Sequence, residues 1–283
     1  MVSLLLIAAF IGAAVGSFVN VWVLRTREGE SIKGRSRCPG CGTTLQWFEI
    51  IPLLSFLFLR GRCRSCRGAI SLQYPVVEAL TALLFVVVFL HEGGDAALGD
   101  GGAMLQIVLG WLVASISVAL ALYDMRALEV PSRWLWYFLV ASALWGLARA
   151  EPITFSGFWE VAQGVVISGF ITGIPLAFLW LISRGGWLGE ADVWVAIALG
   201  LVLGWEMGLS ALLLAFWLGA GFVALWWALS CVVRAVPRGW LLGKIPPLRR
   251  RTPVPFLPFL LAALWITYAF SWSALLVYYR YGV

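Results

Sequence analysis

Long apolar runs, repeated along the whole chain, limit most severely what this sequence can fold into. Between Ser3 and Leu24 there is no charged residue, and Asn20 is the most polar side chain. A bilayer's hydrocarbon core is about 30 Å thick and an α-helix rises about 1.5 Å per residue, so roughly 20 such residues cross it. Comparable stretches recur near 75–91, 104–124, 132–149, 159–183, 191–205, 208–233 and 254–279, the sixth being short. The expected fold is an all-α polytopic membrane protein with about eight transmembrane helices. Composition agrees: 62% of the 283 residues are hydrophobic and 12% charged, outside the range of soluble domains. No Lys or Arg precedes the first run, which therefore reads as an anchor and not as a cleaved signal.

Positive charge sets the expected orientation, because cytoplasmic loops collect Lys and Arg. With the N-terminus outside and eight crossings, only Arg149 and Arg280 of the 20 basic residues fall on the outer side. Both termini are then outside. The outer loop with Glu92, Asp95 and Asp100 is acidic. The basic excess, a net charge of +6, thus serves topology beside anionic membrane lipid and requires no nucleic acid. The 17 Trp read as interface anchors and helix packing.

Three parts follow: a first helix at 1–24, a hydrophilic cytoplasmic module at 25–74, and a membrane bundle at 75–283. The basic stretch 234–253, with Pro237, Pro246, Pro247 and Arg249 to Arg251, reads as a segment along the inner surface. No fixed-period repeat stands out, and the sequence specifies no oligomeric state.

The module carries Cys38-Pro-Gly-Cys41 and, 21 residues later, Cys63-Arg-Ser-Cys66. Two CxxC pairs at this separation can place four thiolates around Zn2+. Disulfides are the alternative, which a reducing cytoplasm disfavours. A loop of this size needs a metal to hold a core, so the ion would be structural. Cys231 stands alone in an apolar run and reads as a packed thiol.

Acidic residues at the edge of a bilayer are costly, which makes them candidates for function. Of four aspartates, Asp95 and Asp100 fall in the outer Gly-rich loop. Asp124 ends the third span and Asp192 begins the sixth, so the expected topology brings both to the cytoplasmic face. Two carboxylates sharing a site do not readily both ionise; one then activates water while its protonated partner polarises a scissile carbonyl. The competing reading is two unrelated helix-end charges, with Asp192 as a cap. Gly185, Gly186 and Gly189 would let the backbone bend before Asp192. The sole histidine, His91, lies at the outer end of the second span as a polar interface residue, so a Ser-His-Asp site is hard to assemble. A transporter or scaffold with cation-binding aspartates is the reading from another class, disfavoured because such sites lie near the midplane.

Several motifs in order resemble the type IV prepilin leader peptidases: Gly16-Ser17-Phe18-Val19-Asn20-Val21, the cysteine module with Ile51-Pro52 and Leu54-Ser55, Tyr74-Pro75-Val76-Val77-Glu78, Asp124 with Pro131, Gly189-Glu190-Ala191-Asp192, and Pro255-Phe256 through Pro258-Phe259. Two positions depart from the family's pattern: Ala191 replaces a glycine, and Trp194 stands where lysine is common. The resemblance implies an aspartic endopeptidase with Asp124 and Asp192 as the catalytic pair. It would remove the basic leader of pilin or pseudopilin precursors and, in members with the cysteine module, methylate the new N-terminus with S-adenosylmethionine. A peptidase without the methyltransferase activity is the alternative. Glu129, Glu190 and Gly189, close to the aspartates in sequence, are candidates to hold the leader.

Overall fold

The computed structural model describes residues 2–149, 155–235 and 254–271. Most of the basic stretch 234–253, the end of the last expected span and the Cys231 side chain lie outside the described residues. Among the described residues, eight α-helices and two 3-10 turns follow in order: α1 Val2–Glu28, a 3-10 turn Trp47–Ile50, α2 Leu54–Phe58, α3 Gln73–His91, a 3-10 turn Gly94–Gly99, α4 Gly101–Ala127, α5 Ser132–Ala148, α6 Phe155–Ser183, α7 Glu190–Ala235 and α8 Leu257–Phe270. The fold is all-helical, as expected. By length and apolarity α1, α3, α4, α6 and α7 are able to cross a membrane; α5, with 17 residues, and α8, with 14, are shorter. The chain forms two compact units, Met1–Ile167 and Ser168–Val283.

In the first unit α1 packs on α3 at the closest range a helix pair allows. A Cβ on Gly12 would lie 2.7 Å from the Ala82 Cα, and one on Gly16 would lie 2.9 Å from the Glu78 Cα. Small residues spaced by four thus bring the two backbones together, the interface that membrane helices use where no hydrophobic drive favours association. α4 packs on α3, where Trp111 stacks on Phe85 with ring centroids 4.7 Å apart and donates its indole N–H to the Phe85 carbonyl at 2.9 Å. Val23, Val88, Val113, Phe138 and Trp145 are fully buried, whereas Leu6, Phe10, Leu83 and Val140 face outward. The arrangement is that of a bundle whose outer solvent is lipid.

Helix ends sort into two groups. At one end, Arg149 just after α5 pairs with Glu92 just after α3 at 3.1 Å, and Gln106 donates to the Ala148 carbonyl at 2.8 Å. At the other, Trp134 near the start of α5 meets Trp22 of α1 and Tyr123 of α4, at 4.3 and 5.2 Å between centroids. Asp124 and the entrance to α3 belong to this second end. His91 is the last residue of α3 and is exposed.

In the second unit α7 is not one straight rod. Gly204 has φ 77 and ψ 170, a region open essentially to glycine alone. Eight residues along an unbroken helix would separate Gly200 from Gly208 by about 12 Å. Instead, a Cβ on Gly208 would lie 3.2 Å from the Gly200 Cα. The chain therefore doubles back at Gly204, and the limbs 190–203 and 205–235 correspond to the sixth and seventh expected spans. The first limb is seated on α6, where the Thr172 hydroxyl donates to the Ala196 carbonyl at 2.9 Å.

Candidate functional site

The four cysteines of the 25–74 module converge. Their sulfurs all lie within 4.8 Å of one another, and Cys38 Sγ is 3.9 Å from Cys66 Sγ. A tetrahedral ion with bonds of about 2.3 Å separates its sulfurs by about 3.8 Å, so the set fits a metal ion. The two knuckles have the same backbone pattern. Cys38 N–H donates to the Thr43 carbonyl at 2.9 Å and Cys63 N–H to the Gly68 carbonyl at 2.8 Å. Gly42 and Arg67 donate back to the carbonyls of Cys38 and Cys63, and bridges pair Arg37 with Thr44 and Arg62 with Ala69. Each position in one knuckle has its counterpart 25 residues on. A short internal repeat is therefore present, where the sequence showed no fixed period. It hides because Pro39-Gly40 and Gly42-Thr43 in the first knuckle become Arg64-Ser65 and Arg67-Gly68 in the second.

Thiol chemistry in the cluster is already split. The Thr43 hydroxyl, 3.3 Å from its sulfur, holds the Cys41 thiol down at about 6. The backbone N–H groups of Cys66 and Ser65 lower Cys63. Gly68 N–H favours the Cys66 thiolate too, but the adjacent Cys41 and Cys63 sulfurs outweigh it and push Cys66 up to about 11. Crowded thiolates resist a further negative charge, and a bound divalent cation relieves that crowding.

Buried polar groups of α1 and α3 fasten the module to the membrane helices. Glu78, only 6% exposed, accepts the Leu53 N–H at 2.8 Å, holding an elbow where Leu53 has φ 60. Asn20, fully buried, donates toward the Gly16 and Tyr74 carbonyls at 3.3 and 3.5 Å and accepts from Gln73 Nε2 at 3.0 Å. Gln73 Oε1 in turn accepts from Arg126. At the module's start, Arg25 donates to the Ile32 carbonyl at 2.7 Å and the Arg35 carbonyl at 3.2 Å. Arg25 and Arg126, which the sequence offered only as topology charges, thus have structural partners. No spacing rule finds Glu78 and Asn20, whose partners lie 25 and 53 or 54 residues away.

Asp124 sits in the last turn of α4 and is 7% exposed. Its carbonyl accepts the N–H of Leu128, whose left-handed φ of 57 ends the helix before Pro131 starts α5. Arg126, two residues on, ties this turn to the module's exit through Gln73. Glu129 is exposed just beyond.

Asp192 opens α7 and is 6% exposed. Its Oδ2 accepts the Gly189 N–H at 3.0 Å, while its own N–H donates to the Gly189 carbonyl at 3.2 Å. This is the reciprocal half of a capping box, with the acid three residues into the turn and not at the cap itself. Capping and burial coexist in one side chain. Glu190 accepts from the Trp194 indole at 3.0 Å, which gives the departure at Trp194 a local role. Ala191 lies within the first helical turn, where alanine is the best helix former. Of the three glycines expected to bend this loop, Gly185 has the left-handed φ, 76; Gly186 and Gly189 do not.

These features define a polytopic membrane protein with a metal-competent four-cysteine loop and a buried aspartate at an end of each of two helices, α4 and α7. Comparison with known proteins gives the family. The model of the Bacterial Peptidase A24 N-terminal domain matches residues 10–92, and that of the Type IV leader peptidase family matches residues 111–224. The chain belongs to the type IV leader peptidase family. A "Prepilin leader peptidase/N-methyltransferase" of Myxococcus xanthus (strain DK1622) is 36% identical over 212 residues, 74% of this chain and 59% of that protein. One of the same name from Bacillus subtilis (strain 168) is 31% identical over 249 residues, 88% of this chain and 87% of the other. The "Type 4 prepilin-like proteins leader peptide-processing enzyme" of Escherichia coli O78:H11 is 33% identical over 216 residues. No solved structure matches the chain. The N-terminal domain model covers all four cysteines, Asn20 and Glu78, and the leader peptidase model covers both aspartates.

Proposed function

We propose that this enzyme cleaves the basic leader from prepilin or pseudopilin precursors at the cytoplasmic face of the inner membrane, with Asp124 and Asp192 as its catalytic pair. The observation that carries the reading is that both aspartates are more than nine-tenths buried, each in a terminal turn of a membrane helix, within the one segment that matches the peptidase family. One carboxylate takes the proton of the attacking water, and the other, protonated, donates to the carbonyl oxygen of the scissile peptide. The tetrahedral intermediate collapses as the leaving amine takes up a proton. Glu129 and Glu190 offer negative charge to the basic leader, and Gly189 offers backbone without a side chain next to Asp192.

Around this bundle of residues 75–283, the first helix (1–24) serves as an anchor and the module (25–74) is a cytoplasmic domain holding Zn2+ through Cys38, Cys41, Cys63 and Cys66. Thiolate ligands favour zinc over harder cations, and the ion's contribution is folding energy. The names of the relatives support a second activity, N-methylation of the mature N-terminus with S-adenosylmethionine. The methyl donor is a co-substrate, and we assign no residues to it.

The test incubates purified protein in lipid with a precursor peptide and S-adenosylmethionine, and weighs the products by mass spectrometry. Leader loss, with a methyl group on the mature fragment, is expected for the native chain. Asp124→Ala and Asp192→Ala are expected to leave the precursor intact, and normal cutting by either overturns the pair. Charge reversal at Glu129 and Glu190 that leaves cleavage unchanged removes their role in holding the leader.

A further inference from the structure

The cysteine module exposes more apolar surface than a water-facing loop sustains. Trp47, Leu57 and Phe58 are 72%, 69% and 82% exposed, and Ile50 and Leu54 are exposed beside them. Scattered single hydrophobics need no explanation, but with Phe48 there are six within residues 47–58, a concentration that calls for a partner. The same stretch ends in positive charge. A cavity of about 660 Å³ is lined by Phe58, Arg60, Arg62, Cys63, Arg64 and Arg67, with no acidic residue among its walls. The Arg64 guanidinium also lies 5.4 Å over the Phe48 ring, so the apolar and basic sets share one surface.

Glu78 fixes where this surface lies along α3. That residue lies five positions into α3, a membrane-length helix, hence roughly 7.5 Å along its axis from Gln73. By accepting the Leu53 N–H, Glu78 draws the elbow that starts α2 down beside the helix's second turn. Leu54, Leu57 and Phe58 follow directly. An apolar face at that depth, flanked by arginines, has the composition of a segment that lies in a membrane interface.

We propose that residues 47–67 are an interfacial anchor, with the apolar side chains set into the headgroup and acyl boundary and Arg60, Arg62, Arg64 and Arg67 engaging the phosphates of anionic lipid. Charge complementarity selects this occupant, since four arginines attract a negative leaflet and repel a positively charged peptide. Cys63 lines the same cavity, so the cysteine cluster is held at the membrane surface and not out in solvent. The proposal does not depend on the catalytic assignment.

The experiment uses the full chain in nanodiscs of phosphatidylcholine, with or without phosphatidylglycerol. A photo-crosslinking benzoylphenylalanine is placed at position 58, and hydrogen exchange is followed over 47–58 in the unsubstituted protein. Lipid adducts at position 58 and greater exchange protection in the anionic discs are expected. Replacing the four arginines by Gln is expected to cut the anionic-lipid adduct about tenfold or more while the metal content is retained, since each arginine near such a surface is worth roughly a fivefold preference. High salt should narrow the difference between the two lipids. Adducts formed only on the chain itself or on an added precursor peptide, no adduct at all, or equal adduct and protection in both lipids would each overturn the proposal.

Discussion

Two loops carry the chemistry to the ends of the helices, and they are held in different ways. The module between α1 and α3 is long, and its order comes from far away in sequence: Glu78 on Leu53, Asn20 on Gln73, Arg25 on the carbonyls near Ile32, and the convergence of Cys38 and Cys41 with Cys63 and Cys66. The turn between α6 and α7 is short, and its order is local, with Asp192 and Gly189 bonding each other across three residues. A long polar loop has too little core to offset its chain entropy and needs staples, whereas a short one is set by the helix it opens. One consequence is that the module can be unfastened without opening the bundle, while the α6–α7 turn cannot be disturbed without disturbing a proposed catalytic carboxylate.

Removing the proposed metal from the cysteine cluster is the largest perturbation that separates the two. Chelation, or Cys38→Ser, is expected to abolish hydrogen-exchange protection through 36–70 and to leave α4 and the α7 hairpin protected. Equal loss in both regions would erase the contrast. Acid should act in the same direction. Cys41 is held near 6, below its ordinary 9.0, so its thiolate supports the folded module fully above pH 9 and that support is lost as pH falls through about 6. Cys66 is raised and opposes folding of the metal-free module only as pH rises past 9. Metal retention is therefore expected to fall as pH drops, measured as chelator-extractable ion against pH.

Glu78→Ala is expected to come next. It leaves the Leu53 N–H without its acceptor and should destabilise the module by about 1–3 kcal/mol, with Glu78→Gln, which keeps an acceptor oxygen, recovering most of it. Protease sensitivity within 46–60 reads the effect; no change in the Ala variant would remove Glu78 from the staples. An effect of similar size but purely local reach is expected in the second unit. Gly204→Ala forces a side chain into a glycine-only backbone region and should cost about 1–3 kcal/mol, confined to the hairpin. Thermal unfolding with the module's protection unchanged would support the local character of that region.

The sequence reveals this architecture unevenly, for physical reasons. From α1 to α7, hydropathy places the long helices to within a few residues because lipid demands apolar length, and even the break near 205 is visible as a gap between two runs. The cysteine cluster is legible because a metal site imposes short fixed spacings. The competing reading of Asp192 as a cap is legible in the sequence, yet its position three residues into the turn is a matter of backbone conformation that one letter does not carry. The Glu78 and Asn20 staples are long-range bonds to backbone or amide groups that no local pattern records. The knuckle repeat is likewise a repeat of backbone hydrogen bonds: Gly42 has φ 70 where Arg67, its counterpart, has φ 61, so residue identity conceals the similarity.

The central claim is that two buried carboxylates, 68 positions apart in sequence, perform one hydrolysis. Its most direct test is the leader-cleavage rate of Asp124→Asn and Asp192→Asn, isosteric changes that keep a side-chain acceptor, the Asp192 cap included. Both proteins should fold, retain metal and lose cleavage by about 10²–10⁴-fold or more. Wild-type cleavage by either would contradict the account.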